Sequence, residues 1–123
     1  MKKPVFLDEL SLIYHGLNHG EALKELDKKF SFNVVLDKIK NDKNLVVINV
    51  LNSFREQALE YSNINELQYG YGYWMGFLKS SQENLIVTKE EFVELDRIGE
   101  CCYAAAVARL NHQAKLKNAD YKE

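Results

Sequence analysis

His15 and His19 stand four residues apart, a spacing that would set two imidazoles on one helix face as metal ligands. Gly16, Asn18 and Gly20 signal that the helix is ending there, and no carboxylate or third histidine accompanies the pair, so it reads as a helix terminus. Cys101 and Cys102 are adjacent, which holds their Cα atoms about 3.8 Å apart, shorter than a disulfide normally spans. Flanked by Tyr103 and alanines and far from a helix N-terminus, they read as small packing thiols. His112 would lie roughly 15 Å further along the same helix, too far to complete a site with them. Neither a phosphate-binding G-x-x-x-x-G-K-[ST] loop nor a G-x-S-x-G elbow occurs. The residues therefore nominate no catalytic group, no metal ligand and no cofactor, and the expectation is a protein that is not an enzyme.

Charge narrows the partners. Sixteen Lys and Arg against eighteen Asp and Glu leave a formal charge of −2, and the first 47 residues hold eight lysines against seven acids, so no basic field points to nucleic acid. One foothold exists in residues 22–42, where a turn near Lys28-Lys29-Phe30 and a helix capped by Ser31 could form a helix-turn-helix presenting Asn33, Lys38 and Lys40. Asp37 and Asp42 interrupt that surface and the usual turn glycine is missing, so an ordinary helical hairpin is the simpler reading. Met1-Lys2-Lys3 opens like a signal peptide, but only Val5-Phe6-Leu7 follow before Asp8-Glu9, and no other run is apolar enough to span a bilayer. A cytoplasmic protein without a membrane partner is expected.

The compositional anomaly lies in residues 61–77, which gather six of the fourteen aromatic residues around a single charge, Glu66. Tyr and Trp with few charges describe protein-binding hot spots, and Tyr69, Tyr73, Trp74 and Phe77 are the candidate contacts. The same composition also describes a core. Gly72 and Gly76 would admit a second backbone, and the last helix offers a matching small surface in Gly99, Cys102, Ala105 and Ala106, so these six residues are the candidate self-association set.

The elements that must position these residues are mostly helical. A chain of 123 residues suits one domain spanning residues 1–123. Phe6, Leu10, Ile13 and Leu17 repeat at helical spacing, as do Ala22, Leu26 and Phe30, then Phe32, Val35, Leu36 and Ile39. Val47, Leu51, Phe54, Ala58 and Tyr61 extend the pattern, and Leu67, Tyr71, Trp74 and Leu78 form the next stripe. In that last segment Gly70, Gly72 and Gly76 each cost the helix about 1 kcal/mol relative to Ala, so it needs tertiary support. Asp42-Lys43-Asn44 reads as a turn, and Thr88 with Glu91 forms a capping box opening a helix over residues 89–117. The expected fold is an all-α compact bundle of about five helices with a long C-terminal helix. The alternative is α+β with short strands near residues 45–51, rich in β-branched side chains, and 84–87. A C-terminal helix of roughly 40–45 Å exceeds a domain about 35 Å across, which argues for a homodimer burying the excess.

The order Trp74-x-Gly76-Phe77-Leu78, a short gap, then Thr88-x-Glu90-Glu91-Phe92-x-x-Leu95 resembles the two-helix ending of many small phage and mobile-element proteins. Across residues 74–95, under a fifth of the chain, the resemblance implies a compact accessory protein that binds a host protein, including those of defence systems. The functional expectation is thus a non-enzymatic protein-binding module, a phage- or mobile-element-encoded inhibitor or regulator of a host protein. The alternatives are a small helix-turn-helix-like transcriptional regulator and, third, a small-molecule-binding or enzymatic helical bundle.

Overall fold

The computed structural model describes residues 24, 28 and 30–121, with side chains as far as Asn111; the expected helix over residues 6–17, with His15 and His19, lies outside the described residues. Four helices follow in order: α1 (Phe32–Ile39), α2 (Leu45–Ala58), α3 (Ile64–Glu83) and α4 (Lys89–Tyr121). Among the described residues the fold is all-α, with these four bounded helices against the five or so expected and further helical backbone at Lys24, Lys28 and Phe30, and the strand alternative fails at both places. Residues 45–51 are helical because Val47, Ile48, Leu51, Phe54 and Ala58 fall on one face and are buried there, and that burial outweighs the strand preference of the β-branched side chains. Residues 84–87 form a turn.

Each boundary has a local cause. Lys28 and Phe30 are helical, so the break falls at Ser31 and not at the expected Lys28-Lys29-Phe30 turn. Ser31 adopts the left-handed conformation (φ 55°) and its side chain does not cap α1, contrary to expectation; its carbonyl accepts the Val35 N–H instead. The kink stacks Phe30 on Phe32, centroids 5.4 Å apart, and drives Phe32 fully into the core. Between α1 and α2, the Asn41 side chain accepts the N–H groups of Lys43 and Asn44, while fully buried Asn44 accepts the Asn41 N–H and donates to the Ile39 carbonyl. This closed network satisfies the polar atoms that a buried turn would otherwise strand.

Asn63 caps α3 by accepting the Glu66 N–H at 2.9 Å, and the Glu66 carboxylate accepts the Ser62 N–H in return. At its other end α3 closes with the Ile86 N–H on the Ser81 carbonyl and the Leu85 N–H on that of Gln82. The αL position in such an ending usually belongs to glycine, and here Leu85 holds it (φ 60°) with its side chain exposed. The Thr88–Glu91 capping box forms as expected, with reciprocal bonds of 2.9 and 3.1 Å. At 33 residues α4 is about 50 Å long and outruns the expected end near Lys117.

α4 packs on all three other helices. It presents Leu95, Ile98, Cys102, Ala105 and Ala106 to a core filled by Trp74, Phe32, Leu51, Leu67 and Leu78. Arg55 ties α2 to α1, donating to Asn33 and Asn52 while lying 5.2 Å over the Phe32 ring. Arg109 ties α4 to the α2–α3 connection by donating to the Tyr61 carbonyl.

Candidate protein-binding groove

α3 separates its aromatic residues by face. Trp74 is fully buried, and a Cβ added at Gly99 would overlap its indole Nε1, so the glycine on α4 is the recess that receives the ring. A large ring of α3 is thus packed within the chain against a glycine of the candidate self-association set. The Trp74 Nε1–H has no hydrogen-bond partner among the described residues. Tyr71, half-buried, stacks on Tyr103 of α4 at 4.4 Å and approaches Phe54 of α2 at 5.7 Å. Burial, reinforced by Asp96, Glu100 and Tyr103, pushes its phenol up to about 12.

On the opposite face Tyr69 is 82% exposed and Tyr73 64%. They rim a groove of about 300 Å³ between α2 and α3, whose lining also includes Val50, Ser53, Phe54, Gln57, Tyr61 and Trp74. The Tyr61 ring lies over Gly70, where a Cβ would collide with it, and its hydroxyl shares a 3.3 Å hydrogen bond with Gln57 Oε1. Burial, then Glu66, raises the Tyr61 phenol. No charged side chain lines this groove, which presents ring faces together with a serine hydroxyl, an amide and phenols. An uncharged apolar or aromatic group suits such a surface.

The candidate binding residues are therefore divided. Tyr69 and Tyr73 are surface residues beside the groove, Phe77 is half-buried, and Trp74 is core that reaches the groove only as part of its lining. The candidate self-association set divides as well. Gly72 and Gly76 are exposed with nothing within 4 Å of an added Cβ, so they do not face α4. Gly99, Cys102, Ala105 and Ala106 are buried in the chain's own core, and their contacts are intramolecular. The lining residues of α2 were not nominated from sequence. Their signal is the polar pair Ser53 and Gln57, one turn apart and following Val50, alongside the apolar stripe.

The remaining candidates offer less. Burial pushes the Cys102 thiol up to about 12 against the opposing pull of Arg55, and burial also raises Cys101, so both are protonated at neutral pH. Among the described residues no group of three His, Cys, Asp or Glu could hold a metal ion, and no helix is long and apolar enough to cross a membrane. In α1 and the turn after it, Asn33 is engaged by Arg55, and the exposed Lys38 and Lys40 are interleaved with exposed Asp37 and Asp42. Compared with protein families, with curated proteins and with solved structures, the chain matches none.

Proposed function

We propose that this chain is a non-enzymatic protein-binding module whose contact surface is the α2–α3 groove with its tyrosine rim. The observation that carries this reading is the exposure of Tyr69 and Tyr73, one helical turn apart, beside an uncharged groove. Two large amphipathic rings left in water are costly to hydrate and lose little conformational entropy when covered, which is why tyrosine anchors interfaces. A groove of this size accepts one side chain of a partner, with Ser53 and Gln57 supplying hydrogen bonds at its edge. The narrower reading, a phage- or mobile-element-encoded inhibitor of a host defence protein, is supported only by the resemblance of residues 74–95.

The test is quantitative affinity capture with the wild-type chain and with Tyr69→Ala/Tyr73→Ala, both verified as folded by circular dichroism. A protein recovered with the wild type and depleted at least about tenfold with the double variant is the expected result. Equal recovery with both would remove the groove as the binding surface.

A further inference from the structure

We propose that the exposed face of α3 binds a second copy of this chain, docked antiparallel about a two-fold axis passing between Gly72 and Tyr73. The inference rests on the reading of this face as protein-binding and names the partner. Tyr69, Gly72, Tyr73 and Gly76 follow the i, i+3, i+4, i+7 spacing of a single helix face, and all four are exposed. Both glycines weaken the helix that contains them, yet among the described residues a Cβ at either would meet nothing within 4 Å, so no contact described within the chain accounts for them. What a missing Cβ provides is a close approach, and none of the described residues makes it.

Size and charge select the occupant and its direction. Along the face the order is large, small, large, small. An antiparallel copy centred between Gly72 and Tyr73 sets each Tyr69 level with the partner subunit's Gly76, ring against open backbone. The same placement brings Glu66, near the start of α3, level with the partner subunit's Lys79 near its end, twice over by symmetry. The Glu66 Oε2 is occupied by the Ser62 N–H, which leaves Oε1 to face that ammonium group. Glu83 falls beyond the first turn of the opposing helix, since α3 begins at Ile64. A parallel copy would instead oppose tyrosine to tyrosine and lysine to lysine, so it loses on both counts. Antiparallel docking also aligns the two helix dipoles favourably.

Sedimentation equilibrium from micromolar to near-millimolar concentration tests the proposal. The wild-type mass should rise from 14.3 kDa towards twice that value. Gly76→Leu, whose Cβ meets none of the described residues, should hold the mass at the monomer value. Glu66→Lys and Lys79→Glu should each weaken the dimer about tenfold, because each sets like charges level, and an equimolar mixture of the two should restore it. Melting curves confirm that each variant is folded. A wild-type mass constant at 14.3 kDa, a dimer that survives Gly76→Leu, or a mixture no tighter than its components would overturn the proposal. A monomer that still captures another protein through Tyr69 and Tyr73 would overturn the second copy alone and leave the protein-binding reading standing.

Discussion

The two faces of α3 use the same residue types to opposite ends. On the inner face Trp74 occupies the space left by Gly99, and Tyr61 lies against Gly70, so aromatic ring and glycine are matched within the chain. On the outer face Tyr69 and Tyr73 alternate with Gly72 and Gly76, and among the described residues both rings and both glycines are unmatched. Inside, the missing Cβ is consumed by packing that the fold requires. Outside, its cost has no return among the described residues, which is what makes the outer face informative about function.

Substitutions can break this contrast. The largest effect should follow Trp74→Ala, which empties the centre of the core and should cost about 3–5 kcal/mol, whereas Tyr73→Ala, one residue away on the outer face, should change monomer stability by no more than about 0.5 kcal/mol. Urea denaturation at a concentration where the chain is monomeric measures both, and comparable losses would erase the distinction between the faces.

The glycines sharpen the contrast through sign. Gly99→Ala should destabilise by about 1–3 kcal/mol despite the better helix propensity of alanine, because the new methyl overlaps the Trp74 ring. Gly76→Ala should stabilise the monomer by about 0.5–1 kcal/mol, since it gains that propensity and meets nothing. Denaturation midpoints moving in the same direction for both would contradict the packing described for α3 and α4.

The smallest effect concerns the thiols behind the inner face. The Cys102 thiol titrates near 9 when unfolded and is pushed up to about 12 by burial, so its contribution to stability is complete below pH 9 and is lost as pH rises towards 12. At pH 9.5 the loss should remain under about 1 kcal/mol. Stability measured between pH 8 and 9.5 should fall, with a shallower fall in Cys102→Ala. A pH-independent stability would mean that the thiol is not sequestered. Replacing both cysteines by serine should leave partner binding intact, because both thiols lie in the core and away from the groove.

Much of the fold was legible because its causes are local. The Thr88–Glu91 box, the turn at Asp42-Lys43-Asn44 and the helical spacing of Val47, Leu51, Phe54 and Ala58 each depend on residues within a few positions of one another. Ser31 shows where local reasoning misleads. A serine before an apolar run suits a cap, but the burial of Phe32 bends the chain into a left-handed residue at which the side chain no longer reaches the helix N–H groups. In the candidate site, Tyr69 and Tyr73 could be nominated from composition, while the polar pair Ser53 and Gln57 beside the α2 stripe is only a spacing signal, because which α2 face lies beside α3 is settled by packing.

By itself the sequence determined helical periodicity along most of the chain, with strands at residues 45–51 and 84–87 as the alternative, and a concentration of aromatic residues around one helix, since periodicity, capping and composition are properties of neighbouring residues. Only the tertiary structure decided which rings are core and which are surface. Trp74 and Tyr73 are adjacent and chemically alike, and their fates diverge because a helix turns by about 100° per residue, carrying one ring into the recess at Gly99 and the other into water. Which side of α3 is covered depends on where α4 returns, and that placement is a property of the packed chain as a whole.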